Sequence, residues 1–462
     1  MRKMKCRRRL AALLSVLMIL AMLLPQAVYA AETEEDPIET NRIEGWPKAA
    51  AKVSDYVCLL DARTGVILIN KGMDVQTPPA SLTKIMTTLV ALENGNLDDR
   101  VTMTETGTAY AVSGSSNLYT EVGETFTLRD MLYGVMLASA NDMATQVAEH
   151  IGGSVENFVA MMNQKAEELG CTGTHFVNAC GMPAEGHVST AHDLALISLA
   201  AMQNETFREI TGTTHYTIAA SEIYAPREIT NHHPSISEPE NFPIKGVCGG
   251  KTGYTDLAQN CLATFAERKG RLMICITLHA QGIGNSYNDT KAAFSYGYSK
   301  WKTRTVKPAE NEELIEGGKV LTPKKKGIED CEKEETVTEE EDGRERIETV
   351  YYWSGVKVGT STILREKPVE TPTPTPEETP TPEETADTGA AADDGSATVQ
   401  TDETENQQPL SENVTLNEGD DRVELPFGIS IARPAFLVIS VLSFLVLLGL
   451  ILVIISALFK RK

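Results

Sequence analysis

The sequence predicts an α+β domain over residues 31–302, an antiparallel sheet flanked by helices with an inserted helical region, and three observations predict it. Strand-like apolar runs stand at both ends of that stretch, capped helical segments fill the interval, and short polar turns punctuate the strands. Tyr56-Val57-Cys58-Leu59-Leu60 and Val66-Ile67-Leu68-Ile69 flank Asp61 to Gly65, which reads as a hairpin. Helices are expected over Ser81 to Asn94, stopped by Gly95, and over Leu128 to Ala138 after Thr127, with Asp130 placed to back-cap. Two more are expected over Val155 to Leu169 after Ser154 and over Asp193 to Met202 after Thr190. The sheet resumes with Gly249 to Tyr254, Cys261 to Arg268 and Leu272 to His279, the last pair joined at Lys269-Gly270. A final helix runs from about Asp289 to Ser299.

Outside this domain the composition changes several times. Residues 1–30 combine a basic start (Arg2, Lys3, Lys5, Arg7, Arg8, Arg9), an apolar run from Leu10 to Leu24 and the small-residue site Val28-Tyr29-Ala30, the pattern of a secretory signal peptide. Over residues 303–367 charged runs (Glu332 to Glu335, Glu339 to Asp342) surround one strand-like stretch, Val350 to Thr362, so a small, partly formed β module is expected. Residues 368–428 are Thr-Pro repeats and then polar acidic sequence, with sixteen acidic side chains against Arg422 alone. Such a segment cannot bury enough apolar surface to fold and is expected to be a disordered linker. Within 429–462, Ala435 to Phe459 carries no charge over 25 residues and is followed at once by Lys460-Arg461-Lys462. That predicts a single-pass transmembrane anchor with a basic cytoplasmic tail, and a body outside the cell membrane.

The net charge of −22 becomes −28 once the six basic residues of the signal segment are removed, which argues against nucleic acid as a partner. Seven cysteines remain beyond Cys6, an odd number without a Cys-x-x-Cys pair, so no disulfide framework is expected. Cys58, Cys261 and Cys275 read as small core residues, and a bridge between Cys171 and Cys180 is left open. The histidines contain no His-Glu-x-x-His, and His187 and His192 are wrongly spaced for one helical face, so neither a metal nor a cofactor is expected.

Three motifs carry chemistry. In Ser81-Leu82-Thr83-Lys84 a hydroxyl and an amine stand one helical turn apart, the spacing of a nucleophile and its base. The neighbouring helix N-terminus and a second cation, Lys251, are expected to lower the pKa of Lys84. Ser139-Ala140-Asn141 lies between two apolar helical runs and offers a hydroxyl to relay a proton and an amide to pair with a peptide. Lys251-Thr252-Gly253 lies on a strand, where Lys251 and Thr252 suit a carboxylate and Gly253 lets a substrate backbone approach. Each has a structural alternative: Ser81 as a helix cap, Ser139 and Asn141 as a capped connection. Gly249-Gly250-Lys251-Thr252 also looks like the end of a P-loop, but that loop needs a glycine where Lys245 stands.

With their flanks, these motifs resemble the serine D-alanyl-D-alanine carboxypeptidases, the low-molecular-mass penicillin-binding proteins. The likeness runs from about Trp46 to Trp301 and includes Pro79 to Thr87, Thr174-His175-Phe176-Val177-Asn178, His187 to Ala195 and Lys251 to Thr255. The resemblance implies a fold like that of the DD-peptidases and β-lactamases and an acyl-enzyme on Ser81, formed from a peptidoglycan stem peptide with loss of the terminal D-alanine. It implies that Lys84 activates Ser81, Ser139 relays the proton, Asn141 binds the substrate amide, and Lys251 with Thr252 holds the carboxylate. The amides of Ser81 and Tyr254 would form the oxyanion hole beside Gly253, and β-lactam antibiotics would be inhibitors. Two alternatives stand beside this reading. One is a serine β-lactamase, for which Glu185 is the candidate deacylating residue. The other is a membrane-tethered β-lactam or muropeptide sensor that acylates without turnover.

Overall fold

In the computed structural model the described residues are 36–50, 52–111, 113–220, 224–366, 422–425 and 429–432. They fall in two units, one ending before Thr373 and the other holding only the last two short segments. The expected signal segment, the linker up to residue 421 and the apolar stretch Ala435 to Phe459 lie outside the described residues.

Strands β1 (Tyr56–Asp61) and β2 (Ile67–Lys71) form the expected hairpin. Helix α1 (Thr83–Asn94) follows a 3-10 turn over Ala80–Leu82. A short pair, β3 (Arg100–Thr102) and β4 (Thr125–Thr127), encloses the one-turn α2 (Glu105–Thr108). Helix α3 (Leu128–Leu137) opens on the predicted capping box, with the Thr127 hydroxyl and the Asp130 carboxylate each holding the other's backbone amide. Then come α4 (Asn141–Gly152), α5 (Val155–Glu168) capped by Ser154, α6 (Ala191–Ala201) capped by Thr190, and α7 (Glu205–Gly212) capped by Asn204. A hairpin of β5 (His215–Ile218) and β6 (Arg227–Thr230) and the short α8 (Pro234–Ser237) lead into β7 (Val247–Thr255), β8 (Gln259–Arg268) and β9 (Arg271–Ala280). Helix α9 (Ile283–Lys300) begins six residues before the sequence reading placed it.

The main sheet is antiparallel, in the order β2-β1-β9-β8-β7, with β7 on an edge. Its central strands β1, β9 and β8 are buried on both faces, which is why they read as continuous apolar runs rather than as alternation. Cys58, Leu60, Phe265 and Ile274 face a core built with the helices between α1 and α7. Val57, Leu59, Leu262 and Cys275 face a second core with Tyr287 and Phe294 of α9. Cys171 and Cys180 are free thiols. Helix α1 is the hub of the first core: every residue from Thr83 to Ala91 is buried, although four of them are polar.

Beyond α9 the structure differs from the partly formed module that the sequence suggested. It holds a five-stranded antiparallel sheet, β10 (Trp301–Thr305), β11 (Glu312–Pro323), β12 (Glu332–Glu339), β13 (Glu345–Trp353) and β14 (Val356–Arg365), in the order β10-β11-β14-β13-β12. The single stretch Val350 to Thr362 is in fact two strands, because Ser354 and Gly355, both at positive φ, make a two-residue hairpin turn. Strand β12 escaped notice because all eight of its residues are exposed and most are charged. Trp301, Val320 and Val358 of this module share the second core with α9, so the two parts pack as one body. In the second unit, β15 (Arg422–Leu425) pairs with β16 (Ile429–Ala432) across the boundary expected between linker and anchor. Among the described residues no helix is long and apolar enough to cross a membrane.

Candidate active site

Ser81 sits in the 3-10 turn that feeds α1, and that turn is held from three sides. Ala80, just before it, has φ of 48°, a left-handed conformation that costs a non-glycine residue about 1 kcal/mol and persists only where the surroundings impose it. On one side lies Gly181, where a Cβ would stand 2.0 Å from the Ala80 carbonyl oxygen. On another lies Gly253 of β7, where a Cβ would stand 3.0 Å from the Ser81 amide nitrogen. The third support is a hydrogen-bond chain. The Thr83 hydroxyl donates to the Ala80 carbonyl at 2.8 Å and meets His187 Nε2 at 2.9 Å, while the Val177 amide donates to His187 Nδ1 at 2.9 Å. Because Nδ1 accepts, Nε2 carries the proton and donates to Thr83, so the chain requires a neutral imidazole. Burial favours that form and lowers the His187 pKa to about 4, helped by the charges of His175 and Lys84. Gly181→Ala should destabilise the protein by about 2–4 kcal/mol, through overlap and the loss of a glycine at positive φ, and should slow acylation of Ser81. Denaturant midpoints and the rate of covalent labelling check this.

Lys84 is fully buried one turn into α1. Its Nζ donates to Ser81 Oγ at 3.1 Å, Asn141 Oδ1 at 2.7 Å and the Cys180 carbonyl at 2.5 Å. An ammonium has three protons and here meets three acceptors. A neutral amine has two protons and a lone pair, and two of its partners, the amide oxygen of Asn141 and the carbonyl of Cys180, can only accept. The lone pair is therefore left for Ser81, whose hydroxyl must then donate to it. Burial lowers the Lys84 pKa to about 8, against the opposing pull of Cys180 and Asp142. The expected fall thus occurs, but desolvation drives it rather than the helix N-terminus and Lys251 invoked from the sequence.

The walls are assembled from distant elements. Asn141 and Ser139 lie at the start of α4 and in the residues before it, with Ser139 at φ of 59°. The buried Asp142 carboxylate accepts from the Thr120 hydroxyl at 2.9 Å and amide at 3.2 Å, tying the facing loop to α4. The Asn178 side chain accepts from the amides of Cys180, Gly181 and Met182, which folds the loop that presents the Cys180 carbonyl to Lys84. On β7, Lys251 is buried, its Nζ donating to the Thr252 carbonyl at 2.9 Å. Burial, and then repulsion from Lys84, holds Lys251 well below its ordinary pKa. The two glycines that made this strand resemble a P-loop serve packing: a Cβ at Gly250 would stand 2.3 Å from the buried His233 ring, and one at Gly249 2.5 Å from Thr211.

Of the residues singled out in the sequence, Ser81, Ser139, Asn141, Thr252, Gly253 and Tyr254 line one cleft of about 700 Å³, and Lys84 and Lys251 are buried in its walls. No hydrogen bond joins Ser139 to Lys84 among the described residues. The Asn141 side-chain oxygen accepts from Lys84, and its NH2 donates to Met182 Sδ at 3.6 Å, so one N–H is left to face a substrate. Sequence reasoning missed the support layer of His187, Asn178, Gly181 and Asp142. His187 and Asn178 stand in the quoted flanking segments, but nothing in their spacing shows that they brace the serine turn.

A family model described as D-alanyl-D-alanine carboxypeptidase matches residues 45–282, the stretch that builds this cleft. The chain belongs to that family. Among curated proteins, it is 34% identical over 302 residues to the D-alanyl-D-alanine carboxypeptidase DacF of Bacillus subtilis, covering 64% of this chain and 72% of that one. It is 27% identical over 286 residues to DacA of Escherichia coli, covering 60% and 67%. Among solved structures, the D-alanyl-D-alanine carboxypeptidase of Mycobacterium tuberculosis superposes with a TM-score of 0.51 at 29% identity, over 55% of this chain and 95% of that one. A DD-transpeptidase of Streptomyces superposes with a TM-score of 0.51 at 30% identity, over 55% and 100%. DacD of Francisella tularensis, at 22% identity and a TM-score of 0.55, shares the fold over 70% of this chain. This member of the D-alanyl-D-alanine carboxypeptidase family thus places its three motifs around one cleft.

Proposed function

We propose that this chain is a serine D-alanyl-D-alanine carboxypeptidase that removes the terminal D-alanine from peptidoglycan stem pentapeptides and so limits cell-wall crosslinking. One observation carries the reading: a buried lysine whose neutral form has its lone pair directed at the Ser81 hydroxyl. Lys84 takes the Ser81 proton as Oγ attacks the carbonyl of the penultimate D-alanine. The new C–O bond leaves an oxyanion facing the backbone amides of Ser81 and Tyr254. Collapse of the intermediate breaks the C–N bond, and the departing amine receives a proton by way of the Ser139 hydroxyl, replenished from the Lys84 ammonium. Water then attacks the ester, gives its proton back through the same lysine, and frees Ser81 and the shortened peptide.

Asn141 would donate its amide NH2 to the substrate backbone, and Thr252 with Lys251 would hold the terminal carboxylate. An arriving carboxylate favours the charged form of Lys251, reversing the effect of its burial. A β-lactam would acylate Ser81 in the same way and remain. Glu185, the deacylating candidate of the lactamase alternative, is exposed and takes no part in lining the cleft. The signal pattern of residues 1–30 and the uncharged stretch Ala435 to Phe459 support an exported body held at the cell membrane.

Incubation with a pentapeptide ending in D-alanyl-D-alanine should release free D-alanine and a tetrapeptide in equal amounts, and penicillin should block the release. An unchanged peptide together with rapid penicillin hydrolysis would establish the lactamase instead.

A further inference from the structure

A cavity of about 220 Å³ lies between the β1–β2 turn and the second module, lined by Arg63 and Thr64 of that turn, Lys319 of β11, and Lys357 and Thr360 of β14. Strand register places it away from the cleft. Asp61 pairs with Met273 and β8 turns into β9 at Lys269-Gly270, so the β1–β2 and β8–β9 turns share one end of the main sheet. Thr255 pairs with Gln259 at the other end, where the β7–β8 turn borders the cleft. Strands of ten residues separate the two ends by about 30 Å.

In a chain of net charge −22, this lining holds three cations and no carboxylate. Like charges gathered in one cavity repel one another unless an anion offsets them. None of the three forms an ion pair among the described residues. Arg63 Nη2 donates to the Gly270 carbonyl at 2.8 Å, Lys319 Nζ donates to the Thr305 hydroxyl at 2.8 Å, and Lys357 has no polar partner. The Asp61 carboxylate, two residues before Arg63, is taken by Arg271 Nε at 2.6 Å and by the Thr64 hydroxyl at 2.9 Å. The backbone that carries Lys319 is specially shaped. Gly317 pairs with Ser361 and Lys319 with Thr360, so Gly318 is an extra residue in β11, and both glycines are at positive φ. Such a bulge re-aims the side chain that follows it. A Cβ at Gly317 would stand 2.5 Å from the Thr360 carbonyl oxygen, and one at Gly359 2.4 Å from that of Lys319, so bare backbone brings the two strands together at this wall.

We infer that Arg63, Lys319 and Lys357 form a binding site for a phosphate group, free or esterified. A guanidinium offers a planar fork to two phosphate oxygens, and the two ammonium groups add charge. The Thr360 hydroxyl, without another partner among the described residues, adds a donor. A phosphate monoester carries about −1.5 to −2 at pH 7 against −1 for a carboxylate, so three cations suit phosphate better. An occupant here holds the body by the end opposite the β7–β8 turn and leaves the cleft open to substrate.

The test is calorimetric titration of the full chain, in a neutral detergent at fixed ionic strength, with inorganic phosphate, glycerol 3-phosphate and acetate. Both phosphates should bind at least about fivefold more tightly than acetate. Lys319→Gln combined with Lys357→Gln should weaken phosphate by about fivefold to tenfold, and Arg63→Gln by a similar factor. Lys333→Gln, which alters a cation of β12 outside the cavity, should leave phosphate binding unchanged, and all these variants should keep the covalent labelling of Ser81 by penicillin. Repeating the titration in micelles doped with phosphatidylglycerol distinguishes the two sources of the group: competition there assigns the site to a lipid headgroup, and undiminished binding assigns it to a soluble phosphate. Equal affinity for phosphate and acetate, no binding of either, or phosphate binding that survives both the double variant and Arg63→Gln overturns the site.

Discussion

Ser81→Ala should abolish both penicillin labelling and D-alanine release, with a fall in kcat of about five to six orders of magnitude, the scale seen when an acyl-transfer nucleophile is removed. No neighbouring group can replace it. Ser139 lies in the same cleft, but it belongs to a different segment and makes no hydrogen bond to Lys84 among the described residues. The fold should survive, because among the described residues the Ser81 hydroxyl makes one hydrogen bond, to Lys84, and the turn is held by Thr83, Gly181 and Gly253 rather than by Ser81 itself. Far-ultraviolet circular dichroism and the thermal midpoint should therefore stay close to those of the unaltered protein. Mass spectrometry of the penicillin-treated variant should show no adduct.

Lys84→Met should lower the acylation rate by about two to four orders of magnitude, the range supplied by a positioned general base. It should also change the pH profile. The neutral amine is the active form, so acylation by the unaltered protein rises with pH through about 8, the pKa that burial imposes on Lys84. In Lys84→Met that ascending limb should vanish. Stability has its own signature. The folded pKa is about 8 against an ordinary 10.5, so between these values the unfolded chain binds more protons and stability increases with pH. Below pH 8 the folded state carries the penalty of a buried ammonium, which methionine removes. A thermal midpoint that is flatter with pH in the variant, with loss of acylation, would separate the chemical role of Lys84 from a packing role.

The catalytic layout was legible in the sequence because it is local: Ser81 and Lys84 lie one turn apart, and Lys251 to Gly253 lie on one strand. Their convergence depends on long-range contacts that leave little trace. The His187 imidazole braces Thr83 across more than a hundred residues of chain, and Gly181 is required by a carbonyl far away in sequence. The hub helix α1 is legible through its stop at Gly95, whereas the burial of every residue from Thr83 to Ala91, which sets the pKa of Lys84, cannot be read from a stretch containing Thr83, Thr87 and Thr88. In the second module the same limit worked the other way. Strand β12 has no buried residue, so no alternation marks it, and its existence follows from pairing with β13. The turn at Ser354-Gly355 was present in the sequence, but the apolar residues on either side obscured it.

The most direct test of the central claim, that a buried neutral Lys84 activates Ser81, is the rate of acyl-enzyme formation with a β-lactam as a function of pH, with the adduct located by peptide mass spectrometry. The expected result is a single adduct on Ser81 whose rate of formation climbs with pH about a midpoint near 8. An adduct on any other residue, or a rate on Ser81 that does not change across that midpoint, would contradict it.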